Sequence, residues 1–329
     1  MHLPKLEHQR PATVKEAAEL LKEYGSRAQI VAGGTDLYPR MKYGLLRPEL
    51  VISLKGLSSE SSATVGEGEL HLDAFMSLAD VVRSPEVLQR APLLAEAALN
   101  VASNQIRHMA TLGGNLCLET RCTYYNQSHA YQYVEPCFKR EGDRCYLLPK
   151  GKKCQAVFMA DTVPALLCLD AKVEIQSHSK ARQLAVADLY TGDPLSPIAL
   201  AGEELVIRVI IPDAAPKQGS GFSKFSLRGG MEFGAVTVAV LLDGTEEGGT
   251  CHKARIAVGS VSAKPVRAVK AETALIGEKL SDDLLREMAK KVAAEVRPVM
   301  HHGYSVPFLK ACLEVQSYRT LTRAAAGMG

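Results

Sequence analysis

Val31-Ala32-Gly33-Gly34-Thr35-Asp36-Leu37 and Thr111-Leu112-Gly113-Gly114-Asn115 are the stretches on which the reading of this chain turns. The first closes a predicted strand, Gln29-Ile30-Val31-Ala32, and opens a short helix. Paired glycines let a backbone approach a phosphate closely, and successive N–H groups form an anion-binding concavity. The helix start adds a favourable dipole, and the Thr35 hydroxyl can donate to the same oxygens. A Gly-Gly turn after a strand is more often only a turn. The spacing is neither that of a P-loop nor that of a G-x-G-x-x-G dinucleotide loop. The second loop again sets Gly-Gly between hydroxyl and amide side chains, so the two together could hold one diphosphate from two sides.

Outward from these loops, the N-terminal part alternates short helices and strands. Thr13 and Glu16 form a capping box for an amphipathic helix with Ala17, Ala18, Leu20 and Leu21 on its apolar side and Gly25 as its stop. Leu50–Leu54 reads as a strand and Leu93–Val101 as an apolar helix. Regular structure resumes at Val157-Phe158-Met159 and Pro164–Leu167. From Ser179 a third segment carries strands at Glu204–Ile211, Phe222–Leu227, Val236–Leu242 and Ala254–Val258, with Gly244–Thr250 as a hairpin turn. Helices at Pro265–Leu275, Asp282–Ala294 and Val306–Ala325 close it. Strands followed by helices predict a separate α+β domain, giving domains at 1–178 (lobes at about 1–55 and 56–178) and 179–329.

The 329 residues suit two or three domains. With 39 Lys+Arg against 36 Asp+Glu, the formal charge is +3, which argues against a general nucleic-acid or membrane-surface binder. Apolar and charged fractions of 47% and 23% are ordinary for a globular protein. No apolar run approaches the ~18 residues of a transmembrane helix. The opening residues lack the apolar core of a signal peptide, so a cytoplasmic location is expected.

Eight cysteines break this plain picture, because five of them, Cys117, Cys122, Cys137, Cys145 and Cys154, fall within 38 residues. A reducing compartment favours a metal site over disulfides. Tyr124, Tyr125, Tyr131, Tyr133, Phe138 and Tyr146 crowd the same window, and helical and strand periodicity stop from about Leu116 to Gln155. Unstructured stretches of this length are uncommon inside a domain unless functional. Cys122, Cys137, Cys145 and Cys154 are separated by 14, 7 and 8 residues. Four thiolates can hold zinc or an iron–sulfur cluster. Structural zinc generally uses close pairs, so the wide spacing favours a cluster while leaving zinc open. Cys117 is near enough to Cys122 to substitute for it, and His129 is a further possible ligand. Cys168 and Cys312 read as core, Cys251 as a loop thiol, and His301-His302 as no metal site. Lys139, Arg140, Lys150, Lys152 and Lys153 give the window a basic rim.

The two Gly-Gly loops resemble the flavin-binding signatures of the FAD subunits of the xanthine dehydrogenase and carbon monoxide dehydrogenase family. Met159–Leu167 is similar to the family stretch whose aspartate contacts the flavin, here Asp161. Phe222-Ser223-Lys224, with Arg228, resembles a motif whose lysine, here Lys224, reaches the cofactor. Val101 falls at an apolar contact position. The resemblance runs over residues 3–325 apart from the cysteine window. It implies an α+β chain: a two-lobed FAD-binding domain of the vanillyl-alcohol-oxidase (PCMH) type, then a C-terminal α+β domain of the CO dehydrogenase flavoprotein type. FAD would then be held by Ile30, Val31, Ala32, Gly33, Gly34, Thr35, Asp36, Leu37, Val101, Thr111, Gly113, Gly114, Asn115, Asp161 and Lys224.

The window, at about 117–156, makes the 46-position separation of Asn115 and Asp161 longer than the family's usual short connection. It resembles the insertion in one branch of the family, the beta (flavin) subunits of 4-hydroxybenzoyl-CoA reductase. That resemblance implies a [4Fe-4S] cluster on Cys122, Cys137, Cys145 and Cys154, with the aromatic side chains shielding it. It also implies a large molybdenum subunit, a small [2Fe-2S] subunit, two copies of the three-subunit unit, and a ferredoxin-like donor docking on the basic rim. No residue of this chain is expected to perform the substrate chemistry: G-x-S-x-G and H-E-x-x-H are absent. Other readings left open are a flavin subunit of an oxidative molybdenum hydroxylase, a free-standing flavin reductase or oxidase, and a zinc-stapled assembly subunit.

Overall fold

The computed structural model describes residues 3–57, 62–66, 68–128, 135–213, 218–244 and 250–328. The first lobe is a parallel three-stranded sheet, β1 (Glu7–Gln9), β2 (Ala28–Val31) and β3 (Leu50–Ser53), in the order β1-β3-β2. The helix α1 (Val14–Tyr24) forms where the capping box predicted it. Thr13 Oγ1 accepts from the Glu16 N–H at 3.1 Å, and the Glu16 carboxylate accepts from the Ala12 N–H at 2.7 Å. Its inner face, Ala17, Ala18 and Leu21, is buried with Leu50 and Ile52. The short helix α2 (Leu37–Lys42) follows the first Gly-Gly loop.

The second lobe is an antiparallel sheet of β4 (Ala63–Val65), β5 (Glu69–Asp73), β6 (Lys172–Gln176), β7 (Ala181–Ala185) and β8 (Leu205–Pro212), in the order β4-β5-β8-β6-β7. Alternate residues of its central strands, Leu70 and Leu72, Val173 and Ile175, Val209 and Ile211, enter one core. The helices packed into it include α3 (Leu78–Arg83), α5 (Pro92–Leu99) and α8 (Thr162–Cys168), while α4 (Pro85–Arg90), α6 (Asn104–Met109) and α7 (Leu112–Leu116) link them. Residue 179, where the sequence suggested a new domain, lies in the turn between β6 and β7, and β8 pairs with both β5 and β6. The expected division between 178 and 179 thus falls in a hairpin turn within one sheet.

The C-terminal unit has β9 (Gln218–Phe225), β10 (Val236–Gly244), β11 (Cys251–Gly259) and β12 (Val266–Arg267), antiparallel in the order β12-β11-β10-β9. Against them lie α9 (Val269–Leu275), α10 (Asp282–Glu295) and α11 (Val306–Ala326). This sheet is buried on both faces. Val238, Val240, Leu242, Ile256 and Val258 face the helices. Phe222, Ala239, Leu241 and Ala257 enter the core of the second lobe, beside α5 and α8. Gly219 permits the helical side to close, since a Cβ there would stand 1.9 Å from the Ala324 carbonyl oxygen of α11.

Cys251, expected as a loop thiol, is instead fully buried on β11, where burial pushes its thiol up to about 11. Cys168 is buried as expected and Cys312 is half-buried. The interior of the hairpin predicted at Gly244–Thr250, like His129, Tyr131 and Tyr133, lies outside the described residues. Among the described residues no helix is long and apolar enough to cross a membrane.

Because Phe222 is fully buried at the seam, Phe222→Ala should destabilise the protein by about 3–5 kcal/mol. Calorimetry should show the two units losing stability together; a lowered transition of the C-terminal unit alone would contradict the shared core.

Candidate functional site

The two Gly-Gly loops are neighbours in space. A Cβ at Gly33 would fall 1.8 Å from the Met109 carbonyl oxygen, so only glycine lets the first loop lie against the end of α6, directly before Thr111. The loops differ in what they leave available. In the second, the Gly113 N–H donates to Ala74 O at 2.7 Å, the Gly114 N–H to Thr111 Oγ1 at 3.1 Å and the Asn115 N–H to Thr111 O at 2.9 Å. In the first, the N–H groups of Gly33, Gly34, Thr35 and Asp36 have no protein acceptor among the described residues. The first loop therefore has the donors an anion needs, and the second is a capped turn that buttresses it. Ile30, Val31 and Ala32 run along β2 into this loop, with Val31 and Leu37 buried behind it and Thr35 half-buried.

Asn115 reaches onward: its Oδ1 accepts from Thr162 Oγ1 at 2.7 Å, tying α7 to the start of α8. Asp161, just before α8, meets Lys224 of β9 with Oδ2 and Nζ 2.7 Å apart and side chains 4% and 6% exposed. Lys224 Nζ also donates to Asn100 O at 2.9 Å, next to the buried Val101. Burial raises the Asp161 carboxyl to about 6, against the opposing pull of Lys224. Asp161 Oδ1 is buried with no hydrogen-bond partner among the described residues, which leaves an acceptor free at the join of the two units. Arg228, quoted with the Lys224 motif, instead pairs with Glu232 on the exposed surface.

Among its described residues the cysteine window has little regular structure beyond one turn of 3-10 helix at Phe138–Arg140. It is held by pairings of Arg121 with Val157 and of Cys137 with Arg144. Cys145 and Cys154 are buried and Cys122 and Cys137 half-buried. The Cys122 thiol is raised first by burial and then by Cys137 and Cys145, and that of Cys154 by burial and by Cys122 and Cys137. Cys122 thus lies within electrostatic reach of Cys137, Cys145 and Cys154, and Cys154 within reach of Cys137. Among the described residues no group of His, Cys, Asp or Glu is gathered tightly enough to hold a metal ion. Tyr125 is buried and the Tyr124 and Tyr146 rings lie 5.5 Å apart. Cys117 is exposed on the chain leading into the window.

The basic rim needs a correction. Lys139 is a buried side chain that pairs with Glu119 at 2.9 Å and sits over the Tyr125 ring, because its long stem folds back under the window. Lys150, Lys152 and Lys153 are exposed. Between the window and the first Gly-Gly loop, Asp36 joins a group of charges whose other members, Arg40, Glu119 and Arg121, the sequence reading missed. Arg121 also borders a cavity of about 150 Å³ with Cys122, Met159, Phe233 and His302.

Residues 4–214 match the family described as the FAD binding domain in molybdopterin dehydrogenase, and residues 222–324 match the CO dehydrogenase flavoprotein C-terminal domain. The chain belongs to the FAD-binding, or medium, subunits of the xanthine dehydrogenase and carbon monoxide dehydrogenase family. It is 31% identical to the aldehyde oxidoreductase FAD-binding subunit PaoB of Escherichia coli, over 82% of this chain and 85% of that one. It is 25% identical to the carbon monoxide dehydrogenase medium chain of Afipia carboxidovorans, over 97% and 96%. The fold superposes on carbon monoxide dehydrogenase from Hydrogenophaga pseudoflava with a TM-score of 0.83 at 23% identity, covering 100% of both chains. FAD is therefore the cofactor of the fold, and the mixed helix-and-sheet architecture expected for it is present.

Lys224→Met should expose the sign of the Asp161 shift. Raised to about 6 from 3.8, Asp161 keeps its proton longer folded than unfolded, so its contribution to stability declines between about pH 4 and 6 and is flat above. Without Lys224 the carboxyl rises further. The loss should approach about 3–5 kcal/mol at pH 8, where the charge is buried unpaired, and be smaller at pH 5. Urea unfolding at the two pH values checks this; equal losses would remove the argument.

Proposed function

We propose that this chain is the electron-relaying flavoprotein subunit of a molybdenum-containing 4-hydroxybenzoyl-CoA reductase. Ile30–Leu37, Val101, Thr111, Gly113, Gly114, Asn115, Asp161 and Lys224 are the residues assigned to FAD. Two observations support that fit: the acceptor-free N–H groups of the first loop and the unpartnered Asp161 Oδ1 at the seam. Cys122, Cys137, Cys145 and Cys154 are assigned to a [4Fe-4S] cluster. The observation that carries the specific reading is the placement of all four in one lobe between Asn115 and Asp161, where Cys137 and Cys145 add to the rise of the Cys122 thiol.

When bound, FAD would supply storage of one or two electrons, and a cluster would supply single-electron transfer. The chain's own residues position these groups: the first loop offers backbone donors, Asp161 and Lys224 close the seam, and Tyr125 and Cys154 keep the lobe's interior dry. Electrons would enter from a ferredoxin-like donor at the exposed Lys150, Lys152 and Lys153. They would leave for the [2Fe-2S] clusters of a small partner subunit and the molybdenum of a large one, in a pair of three-subunit units in the cytoplasm. There, two electrons and two protons would remove the phenolic hydroxyl of 4-hydroxybenzoyl-CoA as water, leaving benzoyl-CoA, a step of anaerobic aromatic degradation.

A second reading has its own support in the relatives, whose names include an aldehyde oxidoreductase and a nicotine 6-hydroxylase. On it, the chain is the flavin subunit of a molybdenum hydroxylase that oxidises an aldehyde or heterocycle and reduces NAD(P)⁺.

Iron, acid-labile sulfide, zinc and flavin content of anaerobically purified protein separates these readings. About four irons and four sulfides per FAD are expected, lost together in Cys137→Ser. Zinc or no metal beside FAD would return the chain to the general family role, and zinc without flavin would make it an assembly subunit. In the assembled enzyme, reversing Lys152 and Lys153 to Glu should slow ferredoxin-dependent turnover. Unchanged, salt-insensitive kinetics would remove the docking surface.

A further inference from the structure

The charges between the first loop and the cysteine lobe form one chain. Asp36 stands immediately before α2, yet its carboxylate does not cap that helix. It lies instead against the Arg121 guanidinium and 3.7 Å from that of Arg40. Arg40 reaches Glu119 at 3.3 Å, and Glu119 accepts from Lys139 Nζ at 2.9 Å. These side chains are only 5–23% exposed, so solvent ions screen them weakly. Both ends touch the lobe's ligand positions: Arg121 directly precedes Cys122, and Lys139 follows Cys137 by two residues. Arg121 is also fixed from two further sides. Its backbone exchanges hydrogen bonds with Val157 at 2.7 and 2.8 Å, and its guanidinium lies 4.6 Å from the centre of the Phe233 ring of the C-terminal unit.

We propose that Arg121 is a positioning residue, and that the chain Arg121–Asp36–Arg40–Glu119–Lys139 makes FAD binding and the order of the cysteine lobe depend on each other. FAD held on the N–H groups of Gly33 to Asp36 fixes the backbone that carries the Asp36 carboxylate. A fixed carboxylate holds Arg121 directly and Glu119 and Lys139 through Arg40, so the lobe settles in one arrangement. Coupling of this kind is reciprocal: the factor by which FAD favours the ordered lobe is the factor by which the ordered lobe favours FAD. The inference rests on FAD lying at residues 30–37 and is independent of which metal the lobe takes.

Amide hydrogen exchange on the full chain, stripped of FAD and then reconstituted, tests it. FAD should slow exchange of residues 119–128 and 135–154 by about tenfold in the wild type, beyond its effect on the loops themselves. Glu119→Gln and Arg121→Gln should cut that lobe protection to under about twofold and weaken FAD binding by a matching factor, while Arg121→Lys, with charge but no planar fork, should restore part of it. Protection confined to residues 30–37 and 109–116 in the wild type overturns the proposal. So does a folded Glu119→Gln chain whose lobe keeps its full protection, a readout that stands even if Arg121→Gln fails to fold. Iron measured on the same samples separates this inference from the cluster reading. A lobe protected by FAD but free of iron sinks the cluster alone, and an iron-loaded lobe indifferent to FAD sinks the coupling alone.

Discussion

An ammonium and a carboxylate, each at least 94% buried, meet across the join of the two units at Lys224 and Asp161. Such a pair seldom adds stability over apolar packing, because desolvation offsets the attraction. The raised Asp161 carboxyl reports that imbalance. Its consequence is geometric. Lys224 Nζ is confined between Asp161 Oδ2 and Asn100 O, and the other Asp161 oxygen is left unpartnered. The force that brings these charges together is apolar, from the face of the C-terminal sheet that carries Phe222, Ala239, Leu241 and Ala257 into the second lobe's core. Removing that face would separate Lys224 from Asp161, so the polar seam depends on the hydrophobic one.

Much of this was legible in the sequence where burial imposes a period. The capping box of α1, the apolar run of β10 and the long amphipathic closing helices all lie within two residues of where the pattern put them. The division of the chain was less legible. A hairpin turn such as Ser177–Lys180 and a linker use the same polar residues, and only the pairing of β8 with β5 and β6 shows to which sheet the following strand belongs. Cys251 was misread for a similar reason, since its neighbours are those of a turn while its side chain already points into the core.

The glycine loops were found by their composition, but composition cannot distinguish a donor cradle from a capped turn. Thr111 and Gly114 read as flavin signature and are also an N-cap hydrogen bond. Thr35 and Gly34 look alike on paper and leave their N–H groups open. The ion-pair chain from Asp36 to Lys139 was not legible at all. Its members are 103 positions apart at the extremes and follow no period. Lys139 looked like a solvated rim charge until its burial against Glu119 and Tyr125 was seen.

The cysteine lobe turns on a question of size. A single tetrahedral zinc with Zn–S bonds of about 2.3 Å draws its four sulfurs to within about 4 Å of one another. Ligands in that arrangement form a tight group, and the described residues contain none. Burial raises the Cys122 and Cys154 thiols, and neighbouring cysteines add to the rise of both. Lys139 bears on the same point from another side: its charge lowers the Cys154 thiol against the effect of burial. A cation beside a buried thiol favours its charged form, opposing desolvation. That cation belongs to the ion-pair chain that passes through Asp36 on the first Gly-Gly loop.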